Sequence, residues 1–158
     1  MSSSLKNLSD YDHASIPSGK GKQIGIVVSE WNQKITFELM RGCTETLLQH
    51  GVQQEDIIIS FVPGTFELPF AAKMLAKQNH LSGVVCIGCV IKGETKHDEY
   101  INHSVAQALQ NLNLQFDIPF IFGVLTPNTD QQAIDRAGGK YGNKGVEAAV
   151  TVLKMTSL

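Results

Sequence analysis

The sequence predicts an α/β protein, a three-layer αβα sandwich in which helices flank a four-stranded parallel sheet. Two observations carry this reading. Short, continuous apolar runs recur along the chain, and each is followed by a segment with apolar residues at helical spacing. Four such units in succession call for right-handed crossovers, which lay helices on both faces of a parallel sheet.

The elements follow in order. "QIGIVVS" (23–29) is a continuous apolar run, the pattern of a strand buried on both faces. "ITFELMRGCTETLLQHG" then places Leu39, Met40, Cys43 and Leu47 on one helical stripe, with Gly51 as a stop. "DIIISFV" (56–62) is the second strand, closed by Pro63-Gly64. "FELPFAAKMLAKQN" (66–79) is the second helix, with Pro69 accommodated in its first turn. "GVVCIGCVI" (83–91) is the third strand, and a helix over 97–113 carries Ile101, Val105, Ala108, Leu109 and Leu112 on one face. "PFIFGVL" (119–125) is the fourth strand. A short helix opens at Thr129, with Gln132 completing a capping box, and is expected to stop at Gly138-Gly139. The last helix follows Asn143, with Val146, Ala149, Val150 and Leu153 as its apolar face.

The length of 158 residues suits one domain, which buries roughly 70% of its unfolded surface. Residues 1–22 are rich in Ser, Gly and Lys and lack periodicity, so they read as a flexible or partner-dependent arm ahead of a domain at 23–158. The net charge of −2, without a basic stripe, argues against nucleic acid as a partner. No apolar run reaches membrane-spanning length, and the N-terminus lacks a signal-peptide apolar core. Three cysteines without a secretory context fit the reducing cytoplasm.

In parallel sheets of this kind, ligands bind beyond the carboxyl ends of the strands. The segments there are 29–35, 63–69, 92–97 and 126–130. Cys86 and Cys89 form a C-x-x-C, yet they lie inside a strand, where positions three apart point to opposite faces. They read as packed core residues, as does Cys43. "KGETKH" is a different matter. Gly93 lets the chain bend close to a ligand, and free N–H groups at the helix start form an anion site. His97 precedes Ile101 by one helical turn, which continues the buried stripe and aims the imidazole toward the strand ends, away from bulk water. A helix N-terminus disfavours imidazolium, so a neutral His97 could accept a proton. The bland alternative is a solvated first-turn histidine. His13, His50, His80 and His103 show no metal-ligand spacing.

Three further residues face the same choice between structure and function. Glu67 opens a helix, where a carboxylate usually complements the dipole, but it could also accept hydrogen bonds from a polyol or an amine. Trp31, directly after the first strand, could be a lid on the core or a stacking platform for a flat heterocycle. Arg136, beside a glycine-rich turn that also holds Lys144, could complement a helix C-terminus or grip phosphate.

Five ordered motifs, "VVSEWNQKIT", "VPGTFELP", "GCVIKGETKH", "PFIFGVLT" and "DRAGGKYGNKG", resemble those of the 6,7-dimethyl-8-ribityllumazine synthases, from about residue 23 to 156. The resemblance implies a flavodoxin-like fold and a transferase of riboflavin biosynthesis without a cofactor. That enzyme condenses 5-amino-6-(D-ribitylamino)uracil with 3,4-dihydroxy-2-butanone 4-phosphate, releasing phosphate and water. It further implies His97 as the catalytic histidine and Trp31 as the aromatic on the pyrimidine. Thr65, Phe66 and Glu67 would hold the ribityl chain, and Cys89, Val90 and Ile91 would contact the pyrimidine. Glu94, Thr95 and Arg136 would bind the butanone phosphate, with the Glu94 carboxylate turned outward while the backbone N–H binds. Phe122, an aromatic that completes the site, Lys144, a ribityl-side lysine, and Arg136 would serve the site of a neighbouring subunit. A pentamer is implied, with a decamer or a sixty-subunit icosahedral cage as larger assemblies and riboflavin synthase as a protein partner. The rival readings are a flavin- or lumazine-binding module without catalysis and a shell-forming protein of the same fold.

Overall fold

A computed structural model describes residues 7–158. Strands β1 (Ile24–Ser29), β2 (Ile57–Val62), β3 (Gly83–Cys89) and β4 (Phe120–Leu125) form one parallel sheet in the order β2-β1-β3-β4. The expected strand for residues 83–91 is two residues shorter, although the Val90 N–H still bonds the Leu125 carbonyl at 2.9 Å. β1 and β3 are buried at every position, as their unbroken apolar runs require. β2 is an edge strand, with Ile59 and Phe61 exposed.

The helices are α1 (Gln33–Gln49), α2 (Leu68–Gln78), α3 (His97–Gln115), α4 (Asp130–Asp135) and α5 (Lys144–Met155). Two cores result. Ile24, Ile26 and Val28 of β1, with Val85, Ile87 and Cys89 of β3, meet the buried stripes of α1 and α5. Val27, Val84 and Cys86 point the other way, onto Leu68 and Ala72 of α2 and Val105 and Leu109 of α3. The period of two along β3 therefore separates Cys86 and Cys89 onto opposite faces, as expected. Burial pushes both thiols, and that of Cys43, up to about 12. No helix among the described residues is long and apolar enough to cross a membrane.

α4 differs from expectation. It ends at Asp135 rather than at the glycines, because residues 137–143 fold back as a small antiparallel hairpin, β5 (Ala137–Gly139) and β6 (Gly142–Asn143). Gly138 (φ 105°) and Gly142 (φ 77°) supply the left-handed backbone that this turn needs. Thr129 caps α4 by accepting the Gln132 N–H, while the Gln132 side chain reaches back to the Asn128 N–H, one residue outside the usual box.

Asn143 fastens this region to the body. Its Oδ1 caps α5 by accepting the Gly145 N–H at 2.7 Å, and its Nδ2 donates to the Glu38 carbonyl of α1 at 2.9 Å. α1 and α5 approach so closely there that a Cβ on Gly145 would fall on the Leu39 carbonyl.

Of the segment read as an arm, residues 1–6 lie outside the described residues, and several of residues 7–22 contact the body. Buried Ile16 and half-buried Tyr11 join the α1/α5 core, and the Gly19 N–H donates to the His50 carbonyl at 2.7 Å. The Tyr11 hydroxyl lies 3.2 Å from His50 Nε2, and the His13 ring stacks near that of His50 at 5.7 Å. Scattered anchors of this kind leave no periodic signal in sequence.

Two outcomes follow. Gly145→Ala should lower stability by ~1–3 kcal/mol, because backbone stands where the methyl must go; a thermal midpoint equal to the parent's would contradict the close packing of α1 on α5. Burial, and then the nearby His13 charge, hold the His50 pKa below its ordinary value. The folded chain therefore binds fewer protons than the unfolded one just below about pH 6.5, so stability is undiminished above that pH and falls as the pH drops toward the folded value. His50→Gln should thus reduce the loss of melting temperature between about pH 7.5 and about pH 5.5, and an unaltered loss would remove His50 as its source.

Candidate active site

Chain order and sheet order reverse between β1 and β3. The chain leaves β1 toward the α1 face and leaves β3 toward the α3 face, so a crevice opens between the two carboxyl ends. A cleft of about 670 Å³ occupies it, lined from β1 by Trp31 and Asn32, from β2 by Gly64–Glu67, and from β3 by Cys89, Val90, Ile91, Gly93, Thr95 and His97. Nine of the residues singled out in sequence are thereby brought together.

Each is positioned by its element. Thr65 is buried in a single 3-10 turn before α2, and only a glycine at position 88 leaves room for it, since a Cβ there would stand 2.7 Å from its hydroxyl. Phe66 and Glu67 follow on the open side, exposed. Cys89 is buried, and its thiol, held up near 12, is no nucleophile at neutral pH. Open space stands where a Cβ on Gly93 would be. α3 begins at His97 with no side-chain cap beyond a long 3.4 Å contact from the His97 N–H to the Thr95 hydroxyl, so its first N–H groups remain available to an acceptor.

One expectation needs correction. His97 lines the cleft but is exposed in the single chain, not turned away from water. The first turn of α3 stands beyond the strand ends, and no described residue buries the His97 side chain there. Glu94 is exposed and does not line the cleft. Phe122, Arg136 and Lys144 do not line it either. Phe122 lies on edge strand β4, opposite Cys86 in register and exposed. Arg136 follows α4, and Lys144 Nζ pairs with Glu147 at 2.9 Å.

Sequence reasoning missed Asn32, Asp98 and Tyr100. Asn32 is the only non-glycine residue with positive φ among those described, at 59°, and its Nδ2 donates to the Cys89 carbonyl at 2.9 Å. It thereby ties the loop carrying Trp31 to the end of β3. An asparagine in the short loop between a strand and a helix, a residue type that tolerates left-handed backbone, was the available signal. Tyr100, one turn into α3, is 72% exposed beside the cleft, as is Trp31.

Comparison with known sequences decides the family. The profile of the 6,7-dimethyl-8-ribityllumazine synthase family matches residues 21–158. The chain belongs to that family. Its relatives include the 6,7-dimethyl-8-ribityllumazine synthase of Porphyromonas gingivalis, 53% identical over 158 residues that span 100% of this chain and 98% of that one. The corresponding protein of Parabacteroides distasonis is 52% identical, over 99% of this chain and 98% of its own. That of Cytophaga hutchinsonii is 51% identical, over 98% and 97%. The five motifs thus mark a lumazine synthase chain along nearly its whole length, in the family's α/β fold.

Replacing Asn32 by Ala removes a hydrogen bond worth about 0.5–1.5 kcal/mol and leaves in left-handed backbone a residue without the polar side chain that eases asparagine into it, at a cost of up to ~1–2 kcal/mol. Asn32→Gly relieves the second cost alone. Melting temperatures should therefore rank parent, Asn32→Gly, Asn32→Ala, and an alanine variant as stable as the glycine one would show that the backbone conformation carries no cost.

Proposed function

We propose that this chain catalyses the lumazine synthase condensation, joining 5-amino-6-(D-ribitylamino)uracil to 3,4-dihydroxy-2-butanone 4-phosphate with loss of phosphate and water. The convergence of Trp31, Thr65–Glu67, Cys89–Ile91, Thr95 and His97 on one crevice supports it most. Each part of the reactants has a chemical counterpart there. Exposed Trp31 offers a face to the flat pyrimidine, beside the strand-end groups of Cys89, Val90 and Ile91. Thr65, Phe66 and Glu67 offer hydroxyl, apolar and carboxylate contacts to the ribityl chain. The uncapped start of α3, with Thr95, offers N–H donors to the phosphate, and Glu94 lies outside the cleft.

The chemistry asks little beyond placement and proton transfer. The ketone carbonyl is attacked by an amine of the pyrimidine, and loss of water gives an imine. Phosphate then leaves, and the second nitrogen closes the ring with loss of further water. His97 takes and returns protons from its position on the cleft wall, while holding both reactants together supplies much of the rate.

Phe122, Arg136 and Lys144 reach the cleft of a neighbouring copy in this reading. Arg136 supplies the second phosphate contact, and Phe122 and Lys144 cover the pyrimidine and ribityl side. The support is that none of the three lines its own cleft, while Phe122 stands on an edge strand and Trp31, Phe66 and Tyr100 stay exposed around an otherwise open cleft. A ring of five such chains closes every site, and cytoplasm is the compartment that suits three unpaired buried thiols. Decamers, cages and association with riboflavin synthase would be built on that ring.

Purified protein mixed with both reactants should form the fluorescent lumazine faster than the uncatalysed control, with saturation in each. A folded protein that gives no acceleration would leave a binding module as the better reading. Within an active preparation, His97→Ala should cut turnover by about 10²–10⁴ at saturating reactants, and unaltered turnover would remove the proton-transfer role. Arg136→Ala should raise KM for the butanone phosphate above all, and an unchanged KM would remove the phosphate role.

A further inference from the structure

Arg136 is held in an unusual way for a charged side chain. Among the described residues it forms no salt bridge with a carboxylate. Its Nη1 donates to the Gln132 carbonyl at 3.2 Å, and its guanidinium carbon stands 4.9 Å from the centroid of the Tyr141 ring. A carbonyl and an aromatic face orient a guanidinium without neutralising it, which leaves its charge and remaining N–H groups for an anion. A carboxylate partner would hold the side chain as firmly but would compete with phosphate. Lys140 Nζ lies 5.2 Å from the same ring centroid, adding a second cation to the neighbourhood.

The Tyr141 ring is itself fixed by its backbone. The Tyr141 N–H donates to the Asp135 carbonyl at 2.8 Å, and its carbonyl accepts the Leu8 N–H at 2.7 Å. One residue on, at Gly142, the Asn7 side-chain oxygen occupies the place of a Cβ, and the Asn143 N–H donates to Ser9 Oγ at 2.9 Å. The Lys144 N–H donates to the Arg136 carbonyl at 2.9 Å and closes the loop. Residues 7–9 thus strap the hairpin from outside, and the hairpin presents the ring to Arg136.

We infer that Tyr141 is a positioning residue, whose ring, braced by the Leu8–Ser9 strap, presets Arg136 for the phosphate-bearing reactant. The inference rests on the reading of Arg136 as a phosphate ligand, and it assigns a role to a residue that lies within the motif "DRAGGKYGNKG" but outside the cleft and had none.

The test is steady-state kinetics of Tyr141→Phe and Tyr141→Leu, each made in the parent and in the Arg136→Ala background. Tyr141→Leu keeps much of the packing volume but has no aromatic face. It should raise KM for the butanone phosphate about two- to fivefold, with kcat and KM for the ribitylaminouracil unchanged. Tyr141→Phe keeps the face and should match the parent. Tyr141→Leu should have no further effect once Arg136 is alanine. A parental KM in Tyr141→Leu overturns the inference, as does an equal effect with and without Arg136, or a phenylalanine variant as impaired as the leucine one. If Arg136→Ala itself leaves KM unchanged, it is the phosphate reading of Arg136 that fails, and the inference falls with it for that separate reason.

Discussion

The arrangement depends on one topological constraint. β1 lies between β2 and β3, so the crossovers that follow β1 and β3 leave the sheet in opposite directions. A parallel sheet buried on both faces allows this only by opening a crevice at the strand ends, because no helix can cover the point where the paths diverge. Everything that lines the cleft is a residue at or just past the end of β1, β2 or β3, or in the first turns of α3. The Asn32 side chain bridges that divergence, binding the departing β1 loop to the last carbonyl of β3. On its other side the loop is held to the end of β2, where the Trp31 N–H donates to the Pro63 carbonyl at 3.0 Å.

A second set of contacts acts at a distance from the cleft. Asn143 caps α5, reaches across to α1 and packs on Gly42, while Gly145 lets the two helices meet. This junction anchors the hairpin that carries Arg136 at its entrance and Lys144 at its exit. The N-terminal strap lies on the hairpin's other side. Two small residues and one asparagine thus decide where the hairpin and its two cations sit relative to α1 and α5.

Much of this was legible in sequence because it is periodic. The apolar runs of β1 and β3, the stripes of α1 and α3, and the opposite facing of Cys86 and Cys89 all follow from spacings of two and 3.6 residues. The positions beyond the strand ends were legible too, because the β-α alternation says where ligands bind. What escaped depends on contacts distant in sequence. The hairpin strands are only three and two residues long, and one of its supports comes from Ser9, which no local pattern connects to Asn143. The exposure of His97 escaped for another reason. Helical spacing says which face a residue is on, but not whether its own chain extends far enough to cover that face.

The claim most exposed to test is that each site is built from two chains. Refolding His97→Ala together with Arg136→Ala, and assaying lumazine formation at limiting butanone phosphate, addresses it directly. In a ring with shared sites, random mixing places intact His97 opposite intact Arg136 at about a quarter of the interfaces. The mixture should then exceed the average of the two single variants by a wide margin. A mixture no more active than that average, from chains shown to have exchanged, would place Arg136 and His97 in a site formed within one chain.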